Sequence, residues 1–140
     1  MRNAFDADAL IYAAVPGHPL GRRVVPLFRS AARGSAAGTG SVLLLPEVLG
    51  KPLRDGSTAE IRALAGLLAR LDLRPVDRAT AELATALSSR YRLRAADATH
   101  LATAVAVGAE RFITNNRRDF GPDIKEIDVT YPDALPDPAP

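Results

Sequence analysis

The sequence contains no cysteine and no tryptophan, and it has only two histidines, His18 and His100. Without cysteine the chain cannot form disulfides, use a thiol nucleophile or bind zinc through thiolates, and two histidines are too few for a histidine-built metal centre. Any metal ion must therefore be held by oxygen atoms. The lack of cysteine is also typical of the reducing cytoplasm, which is the location we expect.

Long hydrophobic runs are absent as well. No segment approaches the roughly 20 apolar residues that a membrane-spanning helix needs. The apolar stretch at residues 10–15 follows Asp6 and Asp8 and stops at Pro16, so it lacks the pattern of a signal peptide. At 140 residues, 47% of them hydrophobic, the chain can bury about two-thirds of its unfolded surface. We expect one soluble globular domain.

The chain has no large excess of charge. Eighteen Lys and Arg stand against 16 Asp and Glu, for a net charge of +2, which excludes a polycationic nucleic-acid coat. Only Lys51 and Lys125 are lysines, so the remaining 16 cations are arginines. The planar guanidinium suits phosphate recognition, but a GC-rich genome would produce the same bias.

Short apolar runs alternate with amphipathic segments along the chain. The pattern predicts strands over residues 3–5, 41–45, 73–76, 111–114 and 127–129. It predicts a helical turn over residues 10–15. It also predicts helices over residues 20–33, after Pro46, and over residues 61–71, 79–91 and 95–107. A capping box from Ser57 to Glu60 opens the helix at residues 61–71. This alternation indicates a three-layer α/β/α domain with a mainly parallel sheet. We assign residues 1–130 to it and expect the proline-rich segment 131–140 to be disordered.

Polar side chains follow several of the predicted strands. Ligands of a parallel sheet bind beyond the carboxyl ends of its strands, and the side chains expected there are Asp6, Asp8, Glu47, Asn115, Asn116 and Asp119, with Asp97 in the first turn of the helix before the strand at 111–114. Carboxylates gathered in this way repel one another unless a divalent cation joins them or some stay protonated. Singly, Asp97 and Glu47 could equally be first-turn helix acids, and Asp119 a turn residue.

Four segments carry a resemblance to a known family. They are residues 5–12 (FDADALIY), 44–49 (LLPEVL), 94–104 (RAADATHLATA) and 112–120 (FITNNRRDF). In order, spacing and secondary-structure context they resemble the motifs of PIN-domain ribonucleases over residues 3 to 130. A single small domain of this kind most resembles the VapC toxins of bacterial toxin–antitoxin pairs.

The resemblance implies metal-dependent hydrolysis of RNA phosphodiesters. Asp6, Glu47, Asp97 and Asp119 would be the catalytic acids. Of these, Asp6 and Asp97 would hold Mg²⁺, with Mn²⁺ as a substitute. Whether one ion or two bind stays open.

The last motif departs from the family pattern. Many members have Asp where this chain has Asn116, and an amide ligates Mg²⁺ without contributing charge. We therefore expect Asp119 to be the fourth acid, with Asn116 as a neutral ligand or a water positioner. Thr114 could position the water or the phosphate, or be structural. Asp8 is interpreted as a helix N-cap more than a ligand.

Cations near the acids are candidates for binding the RNA backbone. They are Arg90, Arg92, Arg94, Arg117 and Arg118. Arg90 and Arg92 could equally form a solvated helix face or pair with an acid of an antitoxin, and His100 is expected to be structural. Tyr91 is expected in the core. The apolar surface of the helix at residues 61–71 suggests a homodimer or a groove for a VapB-like antitoxin.

Two other classes of function compete. Asp6 and Asp8 after a strand resemble the nucleophile and acid of haloacid-dehalogenase-like phosphatases, but Lys51 comes too early and a late acidic pair is missing. A PIN-like fold that has lost catalysis and serves as a binding module is the second alternative. Asn116 is the feature that favours it.

Overall fold

A five-stranded parallel sheet forms the centre of the protein in the computed structural model, which describes residues 1–138. The strand order is β3-β2-β1-β4-β5, and every neighbouring pair is parallel. The strands are β1 (Asn3–Phe5), β2 (Gly38–Ser41), β3 (Leu71–Arg74), β4 (Arg111–Ile113) and β5 (Asp128–Thr130). All their carboxyl ends therefore lie at one edge of the sheet, which we call the carboxyl edge.

Helices cover both faces of this sheet. They are α1 (Ala7–Ala14), α2 (Gly21–Arg29), α3 (Leu44–Asp55), α4 (Thr58–Leu68), α5 (Arg78–Tyr91) and α6 (Ala95–Ala106), with a 3₁₀ helix at Pro132–Ala134. One core cluster joins α5 and α6 to the sheet, and a second joins α1 to α4 to its other face. The predicted three-layer α/β/α fold is confirmed. No helix within residues 1–138 has the length and apolar character needed to span a bilayer.

The alternation of side chains along the central strands explains the two clusters. Ala4 pairs with Phe112, and Phe5 pairs with Ile113 on the next rung. Successive residues of a strand point to opposite faces, so Ala4 and Phe112 contact the α5–α6 layer while Phe5 and Ile113 contact the other one. All four are buried, as expected of a sheet covered on both sides, and the polar residues Asn3 and Arg111 that begin the two strands form a hydrogen bond of 2.9 Å with each other.

The predicted second strand at residues 41–45 is wrong. The strand is the glycine-rich segment Gly38–Ser41, and the apolar residues that follow begin α3. Glycine is required at position 38 because the backbone of β1 is too close for a side chain. A Cβ at Gly38 would lie 2.5 Å from the carbonyl oxygen of Asn3. Leu44, which was predicted in the strand, is instead buried in α3 one helical turn before Val48.

Several predicted boundaries also shift. β3 begins at Leu71 rather than residue 73, because Leu71 pairs with Gly38 and α4 has already ended at Leu68. The segment predicted as a helical turn at 10–15 is the eight-residue helix α1, and α2 is shorter than residues 20–33. Ser57 precedes α4 but makes no capping hydrogen bond through its side chain, so the predicted capping box is not formed.

The proline-rich segment is ordered as far as the structure describes it, contrary to the sequence prediction for residues 131–138. Leu135 is 2% exposed and belongs to the core cluster of α1 to α4. Arg23 donates to the carbonyl of Leu135 at 2.7 Å, and Arg22 pairs with Asp137. Buried apolar surface and these polar contacts offset the entropy of ordering the segment. The rest of that prediction, residues 139 and 140, lies outside the described residues.

Candidate active site at the carboxyl edge

Asp6 is the most constrained acid of the carboxyl edge. It follows β1 directly, is 5% exposed and caps α1 by accepting from the Ala7 amide at 2.9 Å. Its second oxygen accepts a hydrogen bond of 2.7 Å from the hydroxyl of Thr114, the fully buried residue after β4. Burial raises the pKa of Asp6 above its ordinary value, although the Thr114 hydrogen bond opposes the rise.

The pKa of Asp97 is raised by partial burial and by the charges of the three other predicted acids. It lies in the first turn of α6, whose amino end reaches the carboxyl edge. Partial burial raises its pKa, and the charges of Asp6, Asp119 and Glu47 raise it further, in that order. Asp6, Glu47 and Asp119, which come from three other segments of the chain, are therefore close enough to repel the Asp97 carboxylate.

Glu47 is accompanied by a buried histidine. It lies in the first turn of α3, and its Oε2 atom is 3.0 Å from Nε2 of His100, which is 2% exposed. The contact has the length of an ion pair but not the alignment of a hydrogen bond. Burial lowers the pKa of His100, but the contact with Glu47 and the charges of Asp6 and Asp97 outweigh it, so the net pKa is raised. His100 thus contacts an acid of the site, whereas the sequence led us to expect a structural residue.

Asp8 is a further member of the acidic group. Its carboxylate accepts from the Asn115 amide at 3.1 and 3.2 Å. Burial, together with the charge of Asp6, raises the pKa of Asp8 to about 6. The interpretation of Asp8 as an N-cap is wrong, because α1 begins at Ala7 and Asp6 is the capping residue.

The segment after β4 places Asp119 beside Asn116. The Asn116 side chain donates to Asp119 at 2.9 Å and accepts from the Asp119 amide at 3.2 Å. The Asn116 amide in turn donates to the Thr114 hydroxyl oxygen at 3.1 Å. The structure therefore brings together Thr114, Asn116 and Asp119 as the sequence predicted, but with Asn116 in contact with Asp119.

The five predicted RNA-binding arginines divide into two groups. Arg90 pairs with Glu126 and Arg117 with Asp133. The three others are exposed and make no ion pair within residues 1–138: Arg92, Arg94 and Arg118. They are the cations of this region available to a ligand.

Tyr91 packs against the core, as expected. It is partly buried beside the α5–α6 cluster. Its hydroxyl donates to Glu126 and accepts from the Lys125 amide at 3.2 Å. These contacts hold the segment before β5 against the end of α5, so Tyr91 has a structural role.

The acids of the site are ligands of the type that a hard divalent cation prefers. They supply carboxylate oxygens, whose mutual repulsion a cation would relieve. Of the ion pairs within residues 1–138, none joins Asp6, Asp97 or Asp119 to Lys or Arg. In the same part of the chain no three His, Cys, Asp or Glu side chains already converge on one point, so the acids would have to move closer around an ion.

The acids do not line the cavity of about 670 Å³ found elsewhere in the protein. That cavity is lined by Met1, Arg2 and Gly38, from the amino ends of β1 and β2, and by Val107 after α6. Arg2 is already bound there to the Val107 carbonyl at 2.7 Å.

The fold and site together define a parallel α/β/α domain with carboxylates at its carboxyl edge. The model of the PIN domain family matches residues 4–122. The chain belongs to the PIN domain family, whose members are generally nucleases. This confirms the resemblance noted in the sequence, and it leaves the phosphatase alternative without support. No curated protein matches the chain.

Solved structures share the fold over nearly the whole chain. A chain from a toxin–antitoxin complex of Klebsiella pneumoniae is 24% identical, with a TM-score of 0.72, and the match covers 94% of this chain and 98% of that one. A chain of VapBC2 from Rickettsia felis, bound to a promoter DNA fragment, is 17% identical with a TM-score of 0.73 and the same coverage, 94% and 98%. A chain of FitAB bound to the IR36 DNA fragment is 19% identical, with a TM-score of 0.70 and coverage of 93% and 94%. At these identities the likeness shows the fold alone.

Proposed function

We propose that the chain is a Mg²⁺-dependent endoribonuclease and the VapC-like toxin of a toxin–antitoxin pair. The observation that carries the proposal is the acidic group at the carboxyl edge of a PIN-domain sheet. Apart from burial, the charges of Asp6, Asp119 and Glu47 raise the pKa of Asp97, which is the electrostatic condition that a divalent cation relieves.

Each acid has a distinct part in the proposed chemistry. A bound Mg²⁺ or Mn²⁺ ion would polarise the scissile phosphate and lower the pKa of an attacking water. Asp6 and Asp97 are the proposed ligands, and the hydrogen bond from Thr114 keeps the Asp6 carboxylate oriented. Glu47 and Asp119 complete the donor set or orient the water.

RNA must be drawn to this acidic edge by cations. Arg92 ends α5 in a left-handed conformation, with φ of 56°, and Arg94 directly precedes α6. With Arg118 they are the exposed arginines that we propose to bind phosphate. Arg90 and Arg117 would first have to exchange their carboxylate partners, which is feasible because exposed ion pairs are weak.

The proposed protein partners are an antitoxin and a second copy of the chain. The complexes that share the fold are toxin–antitoxin complexes, two of them bound to DNA. The exposed large apolar side chains include Ile11 and Val15 at α1 and Leu45 and Leu53 on α3. In contrast, α4 buries Leu64 and Leu68, so α1 and α3 are better candidates for a docking surface than the helix chosen from the sequence.

A cleavage assay tests the nuclease proposal. Purified protein, free of any antitoxin, is incubated with total cellular RNA in Mg²⁺, Mn²⁺ or EDTA, and new 5′ ends are mapped by sequencing. Asp97→Asn is compared with Asp55→Asn, which makes the same chemical change at an exposed acid at the end of α3. We expect discrete cuts from the wild type and Asp55→Asn, and none in EDTA or with Asp97→Asn. Identical products from all proteins in every buffer would instead favour a binding module.

Expression in a bacterial host without antitoxin tests the toxin proposal. We expect growth arrest from the wild type and normal growth with Asp6→Ala at equal protein level. Normal growth with both would contradict toxicity.

A further inference from the structure

Both polar atoms of the Asn116 side-chain amide form hydrogen bonds with Asp119. Its Nδ2 atom donates to Oδ2 of Asp119 at 2.9 Å, and its Oδ1 atom accepts from the Asp119 backbone amide at 3.2 Å. The orientation of the amide is dictated by these partners, since a carboxylate can only accept and a backbone N–H can only donate. Asparagine supplies both the donor to the Asp119 carboxylate and the acceptor for the Asp119 amide, whereas an ionised aspartate supplies no donor.

The backbone of Asn116 is fixed as well. Its N–H donates to the Thr114 hydroxyl oxygen at 3.1 Å, and the same hydroxyl donates to Asp6 at 2.7 Å. Its carbonyl accepts from the Phe120 amide at 2.9 Å. Phe120 is fully buried and packs edge-on against Phe112 at a ring distance of 5.0 Å. The turn that carries Asp119 is thus anchored in the core at one end and at Asp6 at the other.

We infer that Asn116 is a positioning residue, which holds the Asp119 carboxylate toward the other acids through their reciprocal pair of hydrogen bonds. This inference rests on the proposed nuclease function and deepens it. It assigns a role to the position where the last motif departs from the family pattern. A charge-assisted hydrogen bond is the strong kind, so loss of the donor should displace Asp119.

The inference and the alternative of a direct metal ligand predict opposite effects of Asn116→Asp. If Asn116 were a weak neutral ligand, a carboxylate at this position would add charge to the site, tighten Mn²⁺ binding and speed cleavage. If Asn116 positions Asp119, the same change removes the donor and places two carboxylates at hydrogen-bonding distance. Mn²⁺ binding and cleavage should then weaken.

The experiment measures Mn²⁺ affinity by calorimetry, the Mn²⁺ concentration for half-maximal RNA cleavage, and thermal unfolding in EDTA. We expect Asn116→Asp to weaken Mn²⁺ binding about tenfold or more, which is the scale of one hydrogen bond to a charged group. Asp55→Asn, an exchange between the same two residue types at the exposed end of α3, is the control and should bind Mn²⁺ as the wild type does. The exchange variant Asn116→Asp/Asp119→Asn keeps the net charge and a donor–acceptor pair. It should bind Mn²⁺ as weakly as Asp119→Asn, because the carboxylate has moved.

Tighter Mn²⁺ binding by Asn116→Asp, or wild-type binding by the exchange variant, would overturn the inference. So would a lower unfolding temperature of Asn116→Asp without any change in Mn²⁺ affinity, since that result describes a merely structural residue. A wild type that neither binds Mn²⁺ nor cleaves RNA would instead overturn the proposed function itself.

Discussion

Replacement of Asp8 with asparagine should stabilise the metal-free protein at neutral pH. Burial and the neighbouring charge of Asp6 raise the pKa of Asp8 from its ordinary value of 3.8 to about 6. The folded protein therefore carries an unfavourable carboxylate above pH 6. Asparagine keeps an oxygen that can accept from the Asn115 amide, which now lies 3.1 Å from the nearer carboxylate oxygen, but it carries no charge.

The size of the effect follows from the pKa shift. A rise of about two units corresponds to an upper value of about 3 kcal/mol, at about 1.4 kcal/mol per unit. The penalty is absent below the unfolded pKa, grows as the pH rises toward the folded one and is complete above it, so about half of it remains at pH 5. Asp97 and His100, whose pKa values are also raised, are present in both proteins, so most of their contribution cancels in the difference.

Urea unfolding in EDTA at pH 7.5 and pH 5 provides the assay. We expect Asp8→Asn to be more stable than the wild type by about 1–3 kcal/mol at pH 7.5, with the difference roughly halved at pH 5. A variant that is less stable at pH 7.5, or a difference that does not change with pH, would refute the electrostatic reasoning.

Three further changes test other parts of the structure. Thr114→Val removes the 2.7 Å hydrogen bond to Asp6 and the acceptor of the Asn116 amide; it should cost about 2 kcal/mol of unfolding free energy in urea titrations, and full stability would show that these bonds are not made. Leu135→Ala should cost about 2–3 kcal/mol, as for other buried leucines, and no loss in a thermal or urea unfolding experiment would mean that the C-terminal segment is not packed as described. Arg118→Gln should weaken RNA binding for all sequences alike and lower the salt-dependence slope by about 0.7 in filter-binding assays; an unchanged slope would exclude a phosphate contact by Arg118.

Parts of the fold could be predicted from the sequence because local and tertiary preferences agree there. β1, β4, α5 and α6 combine apolar patterns with clear boundaries, and the structure places them within one or two residues of the prediction. β2 could not be found in this way. Its glycines are required by the close approach of the β1 backbone at Gly38, which is a property of the assembled sheet and not of the local sequence.

The same division holds for the site. The rule that ligands bind at the carboxyl ends of parallel strands was enough for Asp6 and Asp119, which follow β1 and β4. Asp97 was assigned to the same edge from the helix before β4, and Glu47 from a strand at residues 41–45 that the structure replaces with the start of α3. The contact between Glu47 and His100 and the reciprocal pair of Asn116 with Asp119 could not be anticipated. They depend on how α3 and the turn after β4 aim their side chains, and residue spacing alone does not contain that information.

Mn²⁺ binding tests the central claim, that the carboxyl edge is a divalent-cation site, most directly. Binding would be measured by electron paramagnetic resonance on the wild type and on Asp6→Asn/Asp97→Asn. Neutralisation removes the repulsion that raises the pKa of Asp97, but asparagine at position 6 gives up one of the two hydrogen bonds that Asp6 accepts, so thermal unfolding in EDTA is measured on both proteins to show that they are folded. We predict that the wild type binds Mn²⁺ and that the double variant binds it at least tenfold more weakly. Equal binding by the two proteins, or none by the wild type, would contradict the assignment of the site.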